Sequence, residues 1–275
     1  MQTPVPLRAR LVVAGYVGLF VLAGGLVVAS VIGFSGQAWA GWTAAGVMAV
    51  IAAILADAFH PKIGLFMPSI HRIPQRDGRR TLALTFDDGP VYPFTAQILD
   101  ILDRHGVKAS FFCIGENVRR HPELAREIVR RGHTLGNHTQ THTTLVLAGP
   151  RTVAREVDEA QATIREGCGL EPVFFRCPKG YKSPIVARVL RRRRLRLAGY
   201  GYPIWDVQNP PPEELVARVL ERAKPGDIIV MHDGHPANKA GSRSSLVAAL
   251  PEIIDGLLAK GLHPVSLDQA FPPKR

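Results

Sequence analysis

From residue 81 onward, short apolar runs alternate with stretches whose apolar positions recur every three to four residues. Thr81 to Phe86 is an unbroken apolar run, which predicts a buried strand, and Gly89-Pro90 behind it forces a turn. Thr95 to His105 predicts a helix with Ile98, Leu99, Ile101 and Leu102 on its apolar face, stopped by Gly106. Ala109 to Ile114 is the next strand, and a helix from Pro122 to Gly132 follows. The alternation continues: strand Thr134 to Asn137, helix Arg151 to Glu166, strand Val173 to Arg176, helix Pro184 to Arg193, strand Arg196 to Gly199. Helix Pro212 to Ala223, strand Asp227 to Met231, helix Leu246 to Lys260 and strand His263 to Ser266 complete it. About seven strand–helix alternations predict an α/β domain with a parallel sheet and helices outside it, open or closed into a barrel.

The front of the chain has a different pattern. Leu11 to Phe34 carries no charge, and Ala38 to Leu55 is a second apolar run ending near Asp57. We expect a membrane helical hairpin over residues 1–60, with spans at about 11–34 and 38–57. The competing reading is a cleaved signal peptide followed by one buried helix. Arg8 and Arg10 precede the first run, the link Ser35 to Gly41 has no Lys or Arg, and Lys62, Arg72, Arg76, Arg79 and Arg80 follow the second. This asymmetry predicts that both ends, and the domain beyond, lie on the cytoplasmic side. Residues 61–80 form a basic, Pro-containing connector, and 81–275 the α/β domain.

A net charge of +11 raises the question of anionic partners. Membrane lipid or an anionic lipid-linked substrate suits a chain with two apolar runs, and no recognised nucleic-acid motif accompanies the charge. Arg191 to Arg194, followed by Arg196, reads as a solvated helix end, with lipid phosphate contact as the alternative. Three cysteines, Cys113, Cys168 and Cys177, make no disulfide framework and no zinc-finger spacing.

Titratable residues gather just after the predicted strands. Asp87 and Asp88 follow the first; two adjacent carboxylates at a strand end call for a cation or a shared proton. His138 and His142 follow the strand Thr134 to Asn137, four residues apart, and on a helical turn would share a face. Two imidazoles plus one carboxylate from another strand make a three-ligand site with open positions. Asp88, His138 and His142 are therefore the candidate ligands of one divalent ion, zinc being the natural choice for N/O donors, with cobalt, nickel or iron able to occupy the set. Arg176 ends one strand, His232 ends another, and Trp205-Asp206 lies beyond a third.

Thr85-Phe86-Asp87-Asp88-Gly89, His138-Thr139-Gln140-Thr141-His142, Arg176-Cys177-Pro178-Lys179-Gly180 and Val230-Met231-His232, in this order, resemble the NodB-homology polysaccharide deacetylases, which include chitin and peptidoglycan deacetylases. The resemblance covers about residues 80–268. It implies a distorted (β/α)7 barrel that hydrolyses the N-acetyl group of amino sugars with one divalent metal. It casts Asp87 as general base, Asp88, His138 and His142 as metal ligands, and Arg176 as the holder of the base. Lys179 would offer its backbone N–H to the oxyanion, Val230 would line the acetyl pocket, and His232 would be the general acid. This chain departs from the family where Cys177 and Lys179 replace a Pro and an aromatic. It departs again where the Asp-Trp pair that orients the acid His is not evident. Asp206 is a candidate for that orienting role; Asp233, adjacent to His232 in sequence, is expected to point elsewhere.

Physical chemistry accords with these roles. A metal polarises an amide carbonyl, a carboxylate removes a proton from water, and an amine leaves only when an acid protonates it, a task suited to histidine. The expected function is a membrane-anchored, metal-dependent hydrolase acting on an N-acetylated amino sugar. A deformylase of a lipid-linked amino sugar and a catalytically silent glycan-binding membrane protein are the alternatives. Outside the constellation, His133 reads as a buried hydrogen-bonding residue, and His105, His121 and His235 as surface or turn residues. Tyr200 and Tyr202 would stack on sugar or pack in the core. Cys177 reads as a small packing residue ahead of a reactive thiol.

Overall fold

The computed structural model describes residues 38–60, 63–76 and 78–272. The chain divides into two compact units, Met1–Ala56 and Asp57–Arg275. Helix α1 (Ala38–Phe59) runs across that division. It coincides with the second expected span, but among the described residues no helix is long and apolar enough to cross a membrane. The first expected span, 11–34, lies outside the described residues.

The second unit is built on parallel strands. They are β1 (Thr81–Asp87), β2 (Ser110–Cys113), β3 (Thr134–Asn137), β4 (Phe174–Phe175), β5 (Arg196–Leu197), β6 (Tyr202–Pro203), β7 (Ile228–His232) and β8 (His263–Pro264). Helices α2 (Phe94–Arg104), α3 (Gly115–Arg120), α4 (Pro122–Arg130), α5 (Pro150–Cys168), α6 (Pro184–Arg192), α7 (Pro212–Leu220), α8 (Ser244–Ala259) and α9 (Leu267–Ala270) connect them. The sheet order is β5-β4-β3-β2-β1-β7-β6, with β8 added beside β1.

The expected distorted (β/α)7 barrel forms in part: the strands are parallel and alternate with helices, but the sheet does not close. Among the described residues β5 and β6 do not pair, and the sheet is a curled half-barrel. At that gap β5 and β6 have two residues each, and they pair instead with β4 and β7. The basic connector lies across the opening instead. Ile70 bridges Ala198 in parallel and Arg72 bridges Asp227 in antiparallel fashion. Ile73 is buried in the inner core cluster with Ala83, Phe112, Phe174 and Ile228.

Period-two alternation on β1 sets what faces where. Leu82, Leu84 and Phe86 pack outward into the cluster shared with Ile98, Leu102, Ile229 and Met231. Ala83 points into the half-barrel, and Thr85 and Asp87 continue that face. The parallel register puts Asp87 opposite both Phe112 on β2 and His232 on β7. The C-terminal strand ends therefore converge on one rim, where (β/α) architectures carry their chemistry.

Candidate active site

Asp87 closes β1 with its side chain inside the sheet, 5% exposed. Its Oδ1 accepts a 2.7 Å hydrogen bond from the Arg176 guanidinium. Arg176 is itself buried and pinned on several sides. It donates to Thr85 Oγ1 at 2.8 Å and to the Gly199 carbonyl at 2.9 Å, and it lies 4.1 Å over the Phe112 ring. A buried charge-assisted pair of this length fixes the carboxylate's direction.

Asp88 turns the other way because its backbone is left-handed, φ 74°. Such a conformation costs a non-glycine residue on the order of 1–3 kcal/mol, so the surroundings must impose it. Asn117 on α3 does so from one side, donating to the Asp88 carbonyl at 2.8 Å and to the His235 carbonyl at 2.9 Å. On the other side Gly89 lies against Asp233; a Cβ there would sit 2.0 Å from the Asp233 carboxylate. Only glycine allows that approach.

The carboxylate so aimed meets two imidazoles. His142 Nε2 lies 3.1 Å and His138 Nε2 3.4 Å from Asp88 Oδ1. All three ligand atoms fall within 4.8 Å of one another. Asp88 Oδ1 is buried and lacks a hydrogen-bond partner, so the two nitrogens face it without hydrogen-bond geometry. Burial alone would raise the Asp88 pKa, but the imidazoles closing on it hold the carboxyl well below its usual range. An orphaned buried oxygen facing two nitrogen donors fits a divalent cation. His138 is oriented for that task, its Nδ1 lying 2.9 Å from the Arg176 carbonyl.

The histidine pair does not ride on a helical turn. Residues 138–142 are a loop, with Thr139 (φ 69°) and His142 (φ 61°) both left-handed. Asn137 Oδ1 accepts the Thr139 N–H at 2.8 Å, and Thr139 Oγ1 accepts the His142 N–H at 3.0 Å. Glu156, buried on α5, accepts the N–H groups of Gln140 and Thr141 at 3.1 and 2.9 Å and the Thr141 hydroxyl at 2.9 Å. Local hydrogen bonding replaces helical geometry, and neither Glu156 nor Asn117 stands out in sequence as a site residue.

On β7, His232 makes two bonds to one carboxylate. Its Nδ1 lies 3.0 Å from Asp206 Oδ1, and its backbone N–H donates to Asp206 Oδ2 at 2.8 Å. Asp206 is fully buried in a short 3₁₀ turn entered through left-handed Trp205. Burial opposes charge on the imidazole, but Asp206, with Asp88 and Asp87, raises its pKa to about 9. Asp233 points elsewhere, accepting the Thr95 hydroxyl at 2.6 Å. Burial lifts its pKa to about 7.

A cation cradle flanked by an anchored carboxylate and a charged imidazole suits hydrolysis of an amide or ester. A family model described as polysaccharide deacetylase matches residues 75–198. The chain is 37% identical over 198 residues to a chitooligosaccharide deacetylase of Sinorhizobium fredii, covering 70% of this chain and 92% of that protein. The chain belongs to the polysaccharide deacetylase family. A peptidoglycan-N-acetylglucosamine deacetylase of Bacillus cereus is 32% identical over 200 residues, covering 70% of this chain and 89% of that one. A crystal structure of a peptidoglycan N-acetylglucosamine deacetylase is similar with a TM-score of 0.69 and 28% identity, covering 74% of this chain and 92% of that chain. Membership makes the chain a carbohydrate deacetylase, a hydrolase.

The deacetylase rim contains the remaining expected residues. Val230 is buried on the inner face of β7, opposite Thr85 and two residues before His232. Lys179 is exposed in a tight 3₁₀ turn and left-handed, φ 60°. Cys177 is buried in an apolar cluster with Phe175, Val186 and Leu190; burial pushes its thiol up to about 12, which makes it a packing residue. His133 is buried too, its Nδ1 accepting the Ala109 N–H at 3.1 Å. Burial, then the nearby Lys108 charge, lowers its pKa to about 4. Tyr202 packs in the outer core with Arg222 4.6 Å over its ring. In the arginine run, Arg193 pairs with Asp158 and Arg191 donates to the Phe66 carbonyl at 2.6 Å, while Arg192 and Arg194 are exposed.

Proposed function

We propose that this chain is a metal-dependent N-deacetylase of N-acetylated amino-sugar glycans. The observation that carries the reading is Asp88 Oδ1, buried and unpartnered, with two imidazole nitrogens within 3.4 Å. Asp88, His138 and His142 would hold the divalent ion. Bound there, the ion supplies Lewis acidity, polarising the amide carbonyl and lowering the pKa of water towards ~7. Zinc suits the N/O donor set.

The chain's own residues perform the proton transfers. Asp87, aimed by Arg176, takes the proton from the attacking water. His232, charged and held by Asp206, stands opposite Asp87 in register and delivers a proton to the departing amine. Without that proton the amine is too poor a leaving group. The backbone N–H of Lys179 supports the oxyanion, and Val230 bounds the pocket for the acetyl methyl, which favours acetyl over bulkier acyl groups. The names of the relatives support a glucosamine-based substrate such as chitooligosaccharide or peptidoglycan.

The test pairs two variants on N-acetylated chitooligosaccharide, with released acetate and bound metal both measured. Asp87→Asn loses turnover and keeps its metal; His138→Ala loses both. Acetate release by Asp87→Asn at the wild-type rate refutes the assignment. We also propose that Leu11 to Phe34 anchors the chain in a membrane, supported by the length of the uncharged run. Extraction of the full chain by alkaline carbonate refutes that anchor.

A further inference from the structure

Among the described residues, one buried ion pair lies outside the catalytic constellation. Asp57 is fully buried and Lys182 is 5% exposed, with Lys182 Nζ 3.4 Å from Asp57 Oδ1. The same ammonium donates to the Ile63 carbonyl. Asp57 Oδ1 also accepts the Leu65 N–H at 2.8 Å, and the Lys182 N–H donates to the Ala58 carbonyl at 3.0 Å. Phe59 meets Tyr181 edge to face at 5.0 Å. Two short stretches, 57–60 and 63–66, are thus bound to the segment that ends at Lys182.

That segment begins at the active site. Arg176 holds Asp87, and its carbonyl lies against His138. The chain then turns through Lys179 (φ 60°) and Gly180 (φ 73°), two left-handed residues in succession. Gly180 sits against Tyr200 so closely that a Cβ would fall 2.7 Å from the ring. A left-handed lysine does not hold itself in place, so the turn needs restraint at both ends. Arg176 supplies one end. Lys182 supplies the other.

Adhesion alone does not explain the pair. Desolvating two charges cancels most of their attraction, and apolar residues of similar size would pack at least as well. What a buried ion pair adds is direction: the ammonium is satisfied only with Asp57 and the Ile63 carbonyl in place. We propose that Asp57 and Lys182 are a positioning pair that fixes the 178–181 turn at the rim of the deacetylase site. On this view residues 57–60 and 63–66 are part of the catalytic unit. The inference rests on the deacetylase reading for its kinetic arm only.

The experiment uses the full chain in detergent and a soluble chitooligosaccharide. Asp57→Asn and Lys182→Met each leave a buried polar group alone and are prone to misfold. The decisive variant is therefore the apolar double, Asp57→Leu with Lys182→Met. Val219→Ala, in the separate core cluster outside the sheet, is the destabilised control. We expect the folded double to lose about tenfold in kcat with a smaller change in KM, since a misplacement of about 1 Å is enough. Amide exchange of residues 179–182 should quicken by at least about tenfold, while the control changes neither. Wild-type kcat in the folded double overturns the proposal, whatever the exchange does. A wild-type protein that releases no acetate refutes the deacetylase reading instead. The exchange rates then decide the pair alone, and unchanged protection overturns it.

Discussion

Replacing Asp206 with Asn removes one negative charge and changes little else in volume. Its oxygens stand 3.0 Å from the His232 Nδ1 and 2.8 Å from the His232 backbone nitrogen. The His232 ring has a pKa of about 9 against an ordinary 6.5, which corresponds to about 3 kcal/mol in favour of the charged form. Burial works against that form, so the carboxylates overcome both burial and the solvent reference. Asp206 is the carboxylate hydrogen-bonded to the ring. With it neutralised, the pKa falls to 6.5 or below. A divalent cation on Asp88 cancels that residue's contribution in both proteins, so the effect of Asp206 survives metal loading. General-acid catalysis needs the protonated ring, so activity is lost as pH rises through this pKa. At pH 8 about nine in ten rings are charged at a pKa of 9, and about one in thirty at 6.5. The assay is the pH profile of kcat/KM for acetate release. In Asp206→Asn the alkaline limb moves down by about two pH units or more, and at pH 8 the rate falls about thirtyfold through protonation alone. The same raised pKa stabilises the fold below pH 6.5, and that contribution fades as pH rises through 9. An alkaline limb that stays where it was refutes the role of Asp206 and, with it, of His232 as the acid.

Glu156→Gln replaces one of the acceptors of the 138–142 loop with a donor facing backbone N–H groups. Divalent metal affinity should fall about 10–100-fold, read by competition with a chelating dye, and unchanged affinity disproves the loop's dependence on it. His133, lowered to about 4 by burial, stabilises the fold above pH 6.5 and ceases to do so as pH falls through 4, a loss of about 3 kcal/mol. His133→Gln keeps an acceptor for the Ala109 N–H and should lose that much less stability between pH 7 and pH 4 in urea melts. Parallel acid limbs for the two proteins refute the assignment.

Much of this protein follows from local pattern. The alternation of apolar runs with helical periodicity places β1, β3, α2, α5 and α6 within a residue or two of their observed bounds, because the strands are buried throughout, the helices bury one face, and each is punctuated by Gly or Pro. Asp87, Asp88, His138, Arg176 and His232 end strands or follow them directly, and a parallel sheet carries all such ends to one rim, so their gathering needs only the order of elements. β6 is invisible because two residues, one of them Pro, have no period; Pro203 is tolerated since β6 pairs only with β7. The opening between β5 and β6, and the connector that lies across it, depend on pairings between residues more than a hundred positions apart. Within the site, the sequence names the candidate ligands but not their support. That Asp206 and not Asp233 serves His232 is decided by a left-handed Trp205 and by the room Gly89 leaves for Asp233 to accept from Thr95. That His138 and His142 converge from a loop is decided by Glu156, fourteen residues beyond His142. Periodicity and motif order are properties of neighbours along the chain, so sequence alone determines them; which buried carboxylate meets which donor depends on long-range packing, and only the folded structure decides it.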